Sequence, residues 1–178
     1  MAGLDLTPAA DAGATWHEVE RAAPEDADAR ETATPPAAGL PATGEPPVGS
    51  MGLLTRARAG LDRLTPAEAL AEQARGAILV DVRTGTHRAA AAHLPGALVI
   101  DLTVLPWRLD PTFAYRIPEA TAWDTRWILI CRHGYSSSLA AWNLRQLGLS
   151  RATDVIGGYE AWQAAGLPVT HEPPDVRA

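Results

Sequence analysis

The chain has 178 residues with 35 Ala, one Cys, five His, 15 Arg, no Lys and a formal charge of −6, which fits one or at most two domains. A single Cys excludes an intramolecular disulfide and any multi-Cys metal site, and no run approaches the ~18 apolar residues of a membrane span, which excludes an integral membrane protein. With no basic stripe to neutralise phosphates, neither nucleic acid nor a membrane surface is an expected partner.

The opening Met1-Ala2-Gly3-Leu4-Asp5 lacks a basic n-region and an apolar h-region. No secretion signal is therefore expected, and the cytoplasm is the default location, where a lone thiol stays reduced. Residues 1–50 hold nine acids against Arg21 and Arg30, whereas the rest holds 12 acids and 13 Arg. The first 50 residues also carry seven Pro and few large apolar side chains. Such a segment cannot bury enough apolar surface to offset its backbone entropy, so 1–50 reads as a disordered acidic leader. Its Trp16-His17-Glu18-Val19-Glu20-Arg21 stretch is the one place for a helical turn. A solubilising leader or a misannotated start is the plain reading, and a tail that docks a basic protein partner is the alternative.

From residue 53 the pattern becomes regular. Leu54, Ala57, Leu61 and Leu64 recur at helical spacing and define an accessory helix over 51–64. Thr65-Pro66-Ala67-Glu68 is a helix start, with Thr65 as cap, Pro66 in the first turn and Glu68 closing a capping box; Gly76 ends that helix. Residues 77–82 form a short apolar run that reads as a buried strand. A short helix follows over 86–92, then a Pro95-Gly96 turn and a strand over 98–100. Residues 102–109 read as helical but interrupted by Pro106, and Pro111 and Pro118 argue for loop beyond. Residues 127–131 give the clearest strand. Ser136-Ser137-Ser138 then leads into a helix over 139–147, with Gly148 as its stop and Ala140, Leu144 and Leu147 as its stripe. Leu139 and Trp142 fall off that stripe, and the accessory helix is the candidate cover. A last strand over 154–156 and a last helix over 159–165 complete the pattern. Strands alternating with helices define an α/β fold: a mostly parallel central sheet with helices on both faces.

Cys131 sits at the carboxyl end of the most buried-looking strand, where open α/β sheets bind ligands. The connection Arg132-His133-Gly134-Tyr135-Ser136 wraps tightly into the next helix, with Gly134 supplying backbone freedom. A tight loop feeding a helix N-terminus turns backbone N–H groups inward and makes an anion cradle. Such a cradle favours thiolate over thiol, more so if Arg132 and His133 turn inward. A lone Cys after an apolar strand is also a common small core residue. A core Cys, however, does not need a polar, Gly-containing loop with three hydroxyls behind it.

Four stretches together resemble a known family. Leu79-Val80-Asp81-Val82-Arg83, Ala92-His93-Leu94-Pro95-Gly96-Ala97, the run from Ile128 through Ser137, and Gly157-Gly158-Tyr159-Glu160-Ala161-Trp162 with Gly166-Leu167-Pro168-Val169 follow the order and spacing of single-domain rhodanese-like proteins. The resemblance spans roughly residues 65–170 and implies the rhodanese-like fold over 65–172, with 173–178 as a tail. It implies a sulfurtransferase: Cys131 takes a sulfane sulfur from thiosulfate or a persulfide, small-molecule or protein, and passes it to cyanide or a thiol acceptor. The chemistry is ping-pong nucleophilic catalysis with no metal or organic cofactor. Residues Arg132, His133, Gly134, Tyr135, Ser136 and Ser137 would form the substrate-binding loop.

Within the superfamily, the six residues from Cys131 to Ser136 resemble the sulfur-handling members. Phosphatase and arsenate-reductase relatives use a loop one residue longer, closed by a basic residue, and the corresponding position here is Ser137. A phosphatase or arsenate reductase is thus the less favoured reading. Many active sulfurtransferases of the family carry Arg at the position of Ser136. Its absence implies weak activity with thiosulfate, a persulfide as natural donor, or a non-catalytic binding or persulfide-relay module.

Asp81 and Arg83 are expected to point opposite ways along their strand. Arg83 could reach the site rim, although pairing with an acid is favoured. Trp162 is expected in the core or at most as a pocket wall, and Gly157-Gly158 is expected to permit tight packing. His93 anchors a turn; with His87 it lacks a third ligand, so no metal site is expected. Trp107, Trp123 and Trp127 fill the core or line an apolar rim.

Overall fold

The computed structural model describes residues 48–177. The acidic leader read over 1–50, with its 16–21 stretch, lies outside these residues except for its last three, and residues 49 and 50 already open the first helix. In chain order the elements are α1 (Gly49–Ala59), α2 (Pro66–Gln73), β1 (Ile78–Asp81), α3 (Gly85–Ala89), β2 (Leu98–Val99), α4 (Leu105–Leu109), β3 (Trp127–Ile130), α5 (Ser136–Leu147), β4 (Thr153–Asp154), α6 (Gly158–Ala164) and β5 (Asp175–Val176). The strands form one sheet in the order β4-β3-β1-β2-β5, every pair parallel. β1 is its central strand and β3 lies beside it, between β1 and β4, so the chain leaving β3 emerges from the interior of the sheet's carboxyl edge.

Period-two alternation divides the core into two layers. Val80, Trp127 and Leu129 pack with Leu105 and Leu109 of α4 and with Ala141 and Leu144 of α5. Leu79, Ile128 and Ile130 pack with Ala69 of α2 and with Tyr159 and Trp162 of α6. Both faces are therefore covered by helices. Among the described residues no helix is long and apolar enough to cross a membrane.

α1 packs on α5 and buries Leu54 and Ala57. The accessory helix does pack on α5, although Leu139 lines a groove with Leu102, Leu105 and Pro106 instead, and the helix stops at Gly60 rather than at 64. Leu61 packs against the α4/α5 layer, while Leu64 joins the opposite layer and bridges Val155. The buried side of α5 is Ser137, Ser138, Ala141 and Leu144, not the 140/144/147 stripe, and Leu147 is exposed. The apolar pattern misleads there because two buried positions are serines with polar work to do. Pro106 does not interrupt α4: it sits in the first turn, where no intrahelical N–H is required. Residues 173–178, read as a tail, supply β5 instead, and the Arg177 N–H donates to the Val99 carbonyl at 2.8 Å.

The capping box forms as read. Thr65 Oγ1 accepts from the Glu68 N–H at 3.3 Å, and the Thr65 N–H donates to Glu68 Oε2 at 2.8 Å. Hydrogen bonds from the Thr65 hydroxyl and then its backbone amide hold the Glu68 carboxyl below the usual range. A carboxyl lowered in the folded state adds stability above its unfolded pKa and loses it as pH falls through the folded value. Thr65→Ala is therefore expected to cost about 1 kcal/mol in urea denaturation at neutral pH, with a smaller deficit in strong acid. An equal deficit at both pH values would remove Glu68 from the account.

Candidate active site

Cys131 follows β3 directly and leads through four residues into α5. It is 6 % exposed and lines a pocket of about 180 Å³ with Val82, Arg83, His87, Arg132, His133 and Ser136 among its walls. The thiol is thus buried at the floor of an open pocket, not sealed in hydrocarbon. Sγ accepts the Gly134 N–H at 3.2 Å and lies 3.3 Å from Ser137 Oγ. The N-cap of α5, Tyr135, makes no side-chain capping bond, so the partial positive end of a 12-residue helix is left toward the sulfur.

The loop's carbonyls are turned away from the sulfur by specific donors. The Cys131 carbonyl accepts the Tyr159 N–H at 2.9 Å and the Arg132 carbonyl accepts the Glu160 N–H at 3.1 Å, both from the start of α6. The Gly134 carbonyl accepts Arg58 Nη2 at 2.7 Å, Ser138 Oγ at 2.8 Å and Arg63 Nη2 at 3.4 Å. Two glycines make this closeness feasible. Gly134 has φ +75°, and a Cβ there would lie 3.0 Å from the Val155 carbonyl oxygen and from the Gly157 nitrogen. Gly158 has φ +62°, and a Cβ there would lie 2.4 Å from the Cys131 carbonyl oxygen and 2.7 Å from the Gly134 nitrogen. The expected tight packing of Gly157-Gly158 is against the loop itself at Gly158 and against Ala161 at Gly157.

Beneath the loop lies a buried polar network centred on Asp154, at the end of β4. Asp154 is fully buried and takes Arg63 in a fork, Nε to Oδ1 at 2.7 Å and Nη2 to Oδ2 at 3.1 Å. Its Oδ2 is also 3.1 Å from Ser137 Oγ and 2.8 Å from Ser138 Oγ. Arg58 Nε donates to Ser138 Oγ at 3.1 Å. Each hydroxyl has one proton to donate, so Ser137 serves either the sulfur or Asp154 at a given moment. Sequence reasoning missed Arg58, Arg63 and Asp154. The available signal was a carboxylate at the end of a buried strand, which needs a cation to be tolerated there.

The structure gathers Gly134 and Ser137 around the Cys131 sulfur and leaves Arg132, His133, Tyr135 and Ser136 lining the pocket. Arg132 lies along the outer wall, with Nε 2.7 Å from Glu160 Oε1 and Nη1 3.2 Å from His87 Nε2. That contact with Arg132 holds the Glu160 carboxyl below the usual range. His133 and Tyr135 are exposed, and the Arg58 guanidinium stands 5.5 Å from the Tyr135 ring centroid.

Asp81 and Arg83 do not point opposite ways. Residues two apart on a strand share a face, and Arg83 Nε and Nη2 clasp the Asp81 carboxylate at 2.7–3.0 Å. Arg83 reaches the pocket wall as a paired cation, its guanidinium 3.7 Å over the Tyr159 ring. Trp162 is not a rim residue: it is fully buried in the α2/α6 layer and donates Nε1–H to the Pro168 carbonyl at 3.0 Å. Trp127 fills the core, whereas Trp107 and Trp123 are exposed and neither lines the pocket. His93 anchors its turn through paired backbone bonds with Thr170.

A parallel α/β sheet with a thiol cradled between an inner strand and the start of the next helix defines a class of cysteine-loop α/β domains. Residues 65–165 match the rhodanese-like domain family, and the chain belongs to that family. Its activity is sulfur transfer. It is 34 % identical over 102 residues to thiosulfate sulfurtransferase GlpE of Pseudomonas entomophila, covering 57 % of this chain and 84 % of that one. The GlpE of Haemophilus influenzae is 32 % identical over 106 residues, covering 60 % and 91 %. Among solved structures, a Rhodopseudomonas palustris protein of unknown function, described as a possible tyrosine phosphatase, superposes with a TM-score of 0.63 at 28 % identity, covering 74 % of this chain and 99 % of that one.

Proposed function

We propose that the chain carries sulfane sulfur as a persulfide on Cys131, taking it from thiosulfate or a persulfide and delivering it to cyanide or a thiol. The carrying observation is the Gly134 N–H on Sγ at 3.2 Å, at the floor of an open pocket. The Cys131 thiolate attacks the outer sulfur of thiosulfate, and sulfite leaves with the electron pair of the broken S–S bond. The acceptor then attacks the outer sulfur of the persulfide and restores the thiolate. Loop amides and the α5 N-terminus stabilise negative charge on both forms without reorganising.

Rim electrostatics favour a weakly held thiosulfate. Arg83 and Arg132 are already neutralised by Asp81 and Glu160, and Ser136 offers only a hydroxyl. A high KM for thiosulfate and a lower one for a low-molecular-weight persulfide are expected. A phosphatase reading draws on the R. palustris relative. Against it, Ser137 rather than a guanidinium occupies the sixth position after the thiol, and its hydroxyl alternates between Sγ and Asp154. We read the protein as cytoplasmic, where its single thiol stays reduced between turnovers.

Intact mass after incubation with thiosulfate tests the reading. A gain of one sulfur atom per chain, removed by cyanide, is expected, with no hydrolysis of an aryl phosphate. No gain from thiosulfate or a persulfide would leave a binding module, and hydrolysis would restore the phosphatase.

A further inference from the structure

We propose that Arg58 and Arg63, which precede the family-matched segment, are positioning residues for sulfur transfer: by holding the Gly134 carbonyl outward they fix residue 134 so that its own N–H stays on the sulfur of Cys131. The inference rests on the persulfide reading above. Arg58 closes the last turn of α1 and Arg63 follows in the connection to α2, so both lie outside residues 65–165. Their guanidinium groups nonetheless converge on one atom 71 or more residues away, the Gly134 carbonyl oxygen, at 2.7 and 3.4 Å.

A trans peptide is planar, with its C=O and N–H on opposite sides, and the described chain contains no cis bond. Fixing the Gly134 oxygen toward α1 turns the Tyr135 N–H away from α1, and it anchors residue 134, whose own N–H lies 3.2 Å from the sulfur. Neither arginine is free to wander. Arg63 is forked onto buried Asp154, and Arg58 is held by Ser138 Oγ and by the Tyr135 ring. Arg63 also balances the buried Asp154 carboxylate, and the shared target of both arginines is the loop.

Arg58→Met and Arg58→Lys in the full chain test this. For Arg58→Met we expect kcat with thiosulfate and cyanide to fall about 10- to 100-fold. KM should change less than about twofold, because the group acts on the transferring sulfur and not on the donor's distal charge. Arg58→Lys keeps a charged donor for the carbonyl and should recover most of the loss. Alkylation of Cys131 by iodoacetamide at fixed neutral pH needs no sulfur donor. It should slow several-fold in the Met variant and recover in the Lys variant. Thermal melting in parallel checks that both variants fold. Wild-type kcat and alkylation in a folded Arg58→Met would overturn the inference, as would a Lys variant no better than Met. Wild-type protein that alkylates readily but never gains sulfur would instead overturn the persulfide reading, while the alkylation comparison still decides the role of Arg58.

Discussion

Cys131→Ser is expected to abolish sulfur transfer, with a loss on the order of 10⁴-fold or more in turnover, while leaving the fold intact. The carrier step needs an atom that forms a second S–S bond and then releases it as a good leaving group. A serine hydroxyl is neither nucleophilic enough at neutral pH nor able to hold a sulfur atom stably. Structurally the change is mild. Sγ is buried at a pocket floor, and a hydroxyl oxygen can still accept the Gly134 N–H. The unfolding free energy should move by about 1 kcal/mol or less. Rates with thiosulfate and with a persulfide, beside a urea melt, are the measurement. Retention of even a tenth of wild-type turnover would mean that another atom carries the sulfur.

Asp154→Ala should have the largest effect on stability. The carboxylate is fully buried and partners Arg63 and the hydroxyls of Ser137 and Ser138. Its removal leaves the Arg63 guanidinium, only 15 % exposed, without its counter-charge. Breaking one side of such a pair costs about 3–5 kcal/mol. Replacing both members, as in Asp154→Leu with Arg63→Met, should recover part of that loss, because no orphaned charge remains. Chemical denaturation of the single and double variants decides it. A single variant within about 1 kcal/mol of wild type would mean that water or a neighbouring group replaces the carboxylate.

Legibility followed sequence distance. Cys131 and Gly134 could be read because strand end, loop and helix start are contiguous, and the loop's conformation needs a residue without Cβ at one position. The Thr65 box could be read for the same reason. Arg58, Arg63 and Asp154 could not. The bonds of the two arginines to Gly134 and Asp154 span 71 to 91 residues, and only folding brings the end of α1, the end of β4 and the loop together. The faces of α5 were misread because Ser137 and Ser138 are buried by hydrogen bonding rather than by hydrophobicity. Asp81 and Arg83 were misread through strand parity. The ends of α1 and of the sheet were misplaced because Gly60 and β5 are decided by tertiary contacts, which local patterning does not encode.

The outward seats of the loop carbonyls limit what this scaffold can become. Each of three oxygens has its own donor, from α6 or from the two N-terminal arginines, and the space behind is already filled at Gly158. Lengthening the turn by one residue would bring in a carbonyl with no assigned partner and a Cβ with nowhere to go. Converting this sulfur carrier into an oxyanion hydrolase therefore calls for a rebuilt foundation as well as an insertion, and a lone added residue should yield a poorer carrier rather than a new hydrolase.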